Sequence, residues 1–172
     1  PYRNAVVLAT SEVRQNGGTD VLGGPPNQRA ARARVGNAAL SEADPDQVIR
    51  RYARGTDGLE SLAVVAAGGS LPAKRFRPDG AWIDYPGPPG TIPYLSFSDV
   101  RTGRFDPAAV RGKVVVVGAT APSLQDRHQT STSADQLMPG PEIQAAAAIT
   151  AIAGFPLRPG AGWIDAALVV LL

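Results

Sequence analysis

Four consecutive valines, Val114 to Val117, constrain most tightly what this chain can fold into. An unbroken β-branched run suits a central parallel strand covered on both faces, since stiff branched side chains pack well on a pleated surface and neither face needs polar residues. The run stops at Gly118, Ala119 and Thr120, a small-residue turn. Open α/β sheets place ligands at the carboxyl ends of their strands, so this turn marks a candidate crevice. A polar loop from Ala119 to Met138 follows and holds the single histidine, His128. Gly140, Pro141 and Glu142 then open a helix that Gly154 closes, with proline in the first turn and Glu142 near the positive end of the macrodipole.

The rest of the chain reads as alternating extended and helical pieces. Asn4 to Thr10 is a short apolar run that predicts a buried strand, and Ser11 to Asn27, rich in glycine and polar residues, predicts a surface loop. Arg29, Arg32 and Arg34 alternate with alanine, which reads as a solvated helix face, or alternatively as an anion reader. Val35 to Leu40 and Gln47 to Tyr52 flank Asp44, Pro45 and Asp46, a turn composition that predicts a hairpin-like pair. Strand side chains alternate, so Arg50 and Arg51 point to opposite faces and at most one of them meets a given site. Either Arg50 is an ion-pair residue or it faces a ligand.

Downstream, Leu59 to Ala67 carries apolar residues at helical spacing and is ended by Gly68 and Gly69. Arg75 to Gly80 reads as a turn, and Ala81 to Tyr85 as a strand stopped by the PGPPG sequence from Pro86 to Gly90. Leu95 to Val100 begins another element with Ser98 as its N-cap, and Asp106 with Pro107 forms the cap and first position of a short helix. This alternation predicts an α/β domain with a largely parallel sheet flanked by helices. A length of 172 residues fits one domain.

Several function classes drop out on chemistry. The 17 basic and 15 acidic residues are interspersed, so the footprint of a nucleic-acid binder is missing. No cysteine is present, which removes thiol catalysis and zinc-ribbon ligation. Gly112 and Lys113 are not a P-loop, because Pro107 stands where that motif needs glycine and the pair precedes a strand. Neither the dinucleotide fingerprint nor the nucleophile elbow of serine hydrolases occurs. Asp126, His128 and Thr130 remain: at i, i+2 and i+4 of an extended loop, their side chains share one side and offer an acceptor, a protonatable ring and a hydroxyl. They line a ligand pocket, or else satisfy their own backbone.

The order GK, VVVVGAT, a loop with Asp126, His128 and Thr130, then MPGPEIQA resembles the last third of a CHASE2 domain. The likeness continues upstream through Ile83 to Tyr85, Thr91 to Val100, Gly103, VGNAAL around Gly36 and DPDQVIRR from Asp44 to Arg51. The resemblance implies an extracytoplasmic sensor of bacterial adenylate cyclases, diguanylate cyclases, histidine kinases or serine/threonine kinases, lacking a further N-terminal strand and helix region. It also implies that the apolar GWIDAALVVLL sequence from Gly162 to Leu172 begins a transmembrane helix, with Trp163 as an interfacial aromatic. Residues 1–160 are then the sensor, and 161–172 the start of a membrane segment.

The expected function is therefore a non-catalytic stimulus-binding domain of a receptor in the cell membrane, relaying a signal to a cytoplasmic cyclase or kinase. The expected ligand-binding residues are Gly118, Thr120, Asp126, His128, Thr130 and Arg50. No catalytic residue, metal or cofactor is assigned, and the expected partners are a small-molecule or environmental stimulus, the membrane and a second copy. Two other readings stand beside it: a soluble α/β ligand-binding or hydrolase-like domain whose C-terminal helix is core, and a structural spacer that dimerises the receptor.

Overall fold

The computed structural model describes residues 6–40, 44–68, 76 and 80–157. β1 (Val7–Thr10) and β2 (Arg34–Asn37) pair in parallel, with Val7 opposite Arg34 and Thr10 opposite Asn37. A parallel pair needs a crossover, and a 3-10 turn at Val21–Gly23 followed by α1 (Pro25–Ala31) supplies it. The expected loop thus stops short of Asn27. Pro25 and Pro26 occupy the first helical turn, where a missing N–H costs nothing. The three arginines do not share a helix face: Arg29 is on α1, Arg32 ends it in the left-handed region at φ 53°, and Arg34 lies on β2, donating from Nη1 to the Val65 carbonyl at 2.8 Å.

The expected hairpin around Asp44 is not formed. β2 pairs with β1, whereas β3 (Val48–Ile49) runs parallel to β8 (Arg127–Thr130), and β4 (Arg51–Tyr52) runs antiparallel to β7 (Ala81–Trp82). The turn itself is present, closed by a bond from the Gln47 amide to the Asp44 carbonyl at 2.7 Å. Turn chemistry bends the chain, but distant strands decide the partners. β5 (Gly55–Thr56) and β6 (Leu59–Glu60) make a small hairpin, so Leu59 and Glu60 are strand where helix was expected. α2 (Leu62–Ala66) then starts at Ser61, whose Oγ accepts from the Val64 amide. The approach of α2 to β2 requires a glycine: a Cβ on Gly36 would come within 2.7 Å of the Leu62 Cα.

Val114 to Val117 correct the main expectation of the sequence. They form no strand, and Val114, Val115 and Val117 are 52%, 53% and 79% exposed. The strand that flanks β3 comes instead from the polar loop, where β8 lies between β3 and β9 (Met138–Pro139), the latter antiparallel. β-propensity expresses fit to a pleated, covered surface, so a β-branched run without a partner strand is only an extended segment. The small sheets are accordingly mixed, parallel at β1–β2 and β3–β8 and antiparallel elsewhere, in place of one largely parallel sheet.

Further along, α3 (Phe97–Thr102) has Ser96 at its N-cap position, two residues before the expected Ser98, and the Ser96 hydroxyl meets that of Ser98 at 2.7 Å in place of a backbone amide. The Asp106 cap forms as read, its Oδ1 accepting from the Ala108 amide at 2.9 Å. α4 (Gly140–Ile152) also matches the sequence, and Gly154 follows at φ 78°. It packs on α2, and Ile143, Ala146, Ala147 and Ala151 share one buried cluster with Ala63 and Val64. Ile49, Ile83, Tyr85 and Met138 complete the core, extended by Tyr52, Phe76 and Phe155 with ring centroids 5.1–6.3 Å apart. Among the described residues no helix is long and apolar enough to cross a membrane. The segment 161–172, and the turn 75–80 apart from Phe76 and Gly80, lie outside the described residues.

Candidate functional site

A cleft of about 610 Å³ opens where β1 and β2 reach their carboxyl ends. Ala9, Thr10, Ser11 and Glu12 line one wall, Ala38 and Leu40 another, and Asp126 and His128 the third. Parallel strands with a crossover leave such a crevice because their following loops diverge. Each wall is shaped locally. Thr10 Oγ1 accepts from the Glu12 amide at 3.0 Å and donates to its carbonyl at 3.3 Å, which turns the chain just past β1. Buried Asn37 accepts from the Ala39 amide through Oδ1 at 2.8 Å and holds the backbone beside Ala38.

The third wall is tied to α4. Asp126 Oδ1 lies 3.0 Å from His128 Nε2, while the Asp126 carbonyl accepts from the Gly140 amide at 3.0 Å. The Asp126 carboxylate also lies over Gly140, where a Cβ would collide with it. A carboxylate there faces the positive end of the helix macrodipole. A second tether runs from Gln144 Nε2 on α4 to the Ala38 carbonyl at 2.8 Å. The cleft is therefore bonded to α4 on two of its walls.

The residues expected from sequence fall in three places. Asp126 and His128 meet in the cleft, with 47% and 35% of their side-chain surfaces exposed. Thr130, although on the same strand, is buried at 2% exposure and bonds Ser133 Oγ at 2.7 Å, closing the turn after β8. Gly118 lies beside Pro141 at the first turn of α4, and Thr120 is on the exposed segment after it; neither lines the cleft. Arg50 is elsewhere, clamping its own turn with bonds to Asp44 at 2.8 Å and to both Asp46 oxygens at 2.9 and 2.6 Å. Those bonds from Arg50 hold the Asp46 carboxyl at about 2 and lower that of Asp44 as well. Arg51 reaches Asp44 too and stacks on Trp82, 4.9 Å from the ring centroid.

Thr10, Ser11 and Glu12 also line the cleft, and the sequence pattern does not single them out. The same rule that singled out Gly118, a polar turn directly after an apolar strand, applies equally to the end of NAVVLAT.

Chemically, the cleft offers two carboxylates, one imidazole and two hydroxyls over a small apolar floor. Such a set has the donors and acceptors to orient a polar ligand. Among the described residues no group of three or more histidine or acidic side chains is placed to hold a metal ion. The class defined by this architecture is an α/β domain with a cleft at the ends of parallel strands, joined to a packed helix. The model of the CHASE2 domain matches residues 3–172, and the chain belongs to that family. CHASE2 domains are sensory modules and not catalysts in themselves. No curated protein and no solved structure matches the chain.

Proposed function

We propose that this domain is the extracytoplasmic sensor of a bacterial membrane receptor, and that the cleft holding Asp126 and His128 receives its stimulus. One observation carries the reading: Asp126 belongs to the cleft and to the start of α4 at once, through the Gly140 amide and the contact over Gly140. A ligand changes a conformational equilibrium only by its differential affinity for the two states. A stimulus that binds better when Asp126 swings off Gly140 biases the position of α4. In chain order α4 is followed by the apolar run at 162–172, read from sequence as the start of a membrane helix, through which the bias reaches a cytoplasmic cyclase or kinase. Gln144 and Ala38 give the opposite wall the same connection. Gly118 at Pro141 sits at the α4 end of this relay, while Thr130 and Arg50 keep the supporting turns in shape.

The test is Asp126→Ala in the full-length protein in its native membrane. Output activity shifts from the wild-type level while thermal unfolding stays within about 1 kcal/mol, since the Asp126 side chain is about half exposed. Unchanged output in a folded protein contradicts the reading.

A further inference from the structure

The lining of the cleft also indicates what kind of molecule enters it, granted that this cleft is the stimulus site. Glu12 and Asp126 bring two carboxylates to it, and among the described residues neither lysine nor arginine lines it. This is unexpected in a chain of net charge +2, where 17 basic side chains are spread over 172 residues. Those basic groups whose partners are acidic are engaged elsewhere: Arg14 with Asp20, Arg50 and Arg51 with Asp44, Arg54 with Glu60, Arg104 with Asp99. Glu12, by contrast, makes no side-chain hydrogen bond or ion pair among the described residues, although its backbone is fixed by Thr10. Asp126 uses Oδ1 on His128, and among the described residues its Oδ2 has no hydrogen-bond donor.

An anion entering this cleft would meet two carboxylates, and the one protonatable base among the described lining residues, His128, is already held by Asp126, which disfavours the anion. A divalent metal finds no group of three charged or imidazole donors among the described residues. What fits is a single positive charge that carries its own N–H donors, together with a short apolar portion for Ala9, Ala38 and Leu40. We propose that the cleft takes a small organic cation, an ammonium group on a short alkyl chain. Its N–H groups donate to Glu12 and to Asp126 Oδ2, and the Thr10 to Glu12 turn presents the first of these carboxylates ready-made. Binding also draws Asp126 toward the cleft and away from Gly140, which is the movement the sensory reading requires.

The experiment uses the full-length protein in nanodiscs, titrated with n-butylammonium chloride, with sodium butyrate and 1-butanol at matched ionic strength as controls. Saturable binding of butylammonium, with butyrate and butanol at least tenfold weaker, is expected. Glu12→Gln, at an exposed position without partners, keeps the fold and weakens butylammonium binding at least threefold; Asp126→Asn does the same. Equal binding of butyrate or butanol, no binding of butylammonium, or binding insensitive to Glu12→Gln overturns the cation assignment. The two proposals fail separately. If Asp126→Ala alters output while butylammonium does not bind, the ligand class is wrong and the sensory reading stands. If butylammonium binds but neither it nor Asp126→Ala moves the output, the cleft takes a cation and is not the sensory site.

Discussion

Replacing Ile143 and Val115 in parallel by alanine separates the observed core from the one the sequence suggests. Ile143 is fully buried between α4 and α2, at 0% exposure, whereas Val115 is 53% exposed. Truncating a buried isoleucine to alanine costs about 2–5 kcal/mol, through lost transfer energy plus the cavity left behind. The surrounding alanines Ala146, Ala147 and Ala63 are too small to collapse into that space, which puts the expected cost in the upper half of the range. At about 2–4 °C per kcal/mol for a chain of this size, Tm falls by roughly 7–20 °C. Val115→Ala, removing methyl groups that water already reaches, changes stability by about 0.5 kcal/mol or less. Urea unfolding followed by circular dichroism measures both, with Cm shifting and the slope unchanged for Ile143→Ala. A central strand at Val114 to Val117 would give Val115→Ala a cost above about 1.5 kcal/mol. That result, or two equal losses, would refute the description of the core.

Three further outcomes follow from the packing and charges. Gly36→Ala pushes a Cβ against the Leu62 backbone and destabilises by about 1–3 kcal/mol, read as a lower Tm. Tyr85→Phe loses the bond that its hydroxyl donates to the Ile49 carbonyl at 2.9 Å and costs about 0.5–1.5 kcal/mol, whereas Tyr52→Phe removes a buried hydroxyl with no partner among the described residues and leaves stability equal or higher. Urea midpoints of the two variants decide this. The Asp46 carboxyl, held at about 2 by Arg50, lies below its unfolded value near 4, so its contribution is complete above pH ~4 and is lost as pH falls toward 2. Tm measured between pH 6 and pH 2 should show Asp46→Asn less stable than the parent at pH 6 and converging with it near pH 2. A constant difference across that range contradicts the ion-pair account.

Local chemistry made some elements legible and others not. α4 was readable because proline, an acidic first turn and a closing glycine all act within the helix itself. The Asp106 cap was readable for the same reason. Strand partners were not, since pairing is decided by segments far apart: β3 takes β8, some eighty residues away, and nothing in VIRRY announces it. Val114 to Val117 have the composition of a core strand and lie exposed, because composition records what a segment can do and not which neighbour covers it. Asp126 and His128 alternate along an extended segment, Asp126 just before β8 and His128 on it, and both line the cleft. Thr130 shares that alternation, but Ser133 folds the chain back and captures its hydroxyl. Glu12 is not legible in the sequence because a carboxylate in a glycine-rich stretch acquires meaning only once the end of β1 brings it into the same cleft as Asp126.

The most direct test of the sensor account is which side of the membrane the domain occupies. The 172 residues contain no cysteine, and Tyr94 is 85% exposed, so Tyr94→Cys gives a single addressable thiol in a full-length protein whose other cysteines are serine. Spheroplasts are treated with a membrane-impermeant maleimide before and after lysis. The account predicts full labelling of intact spheroplasts; labelling that appears only after lysis places the domain in the cytoplasm and contradicts it.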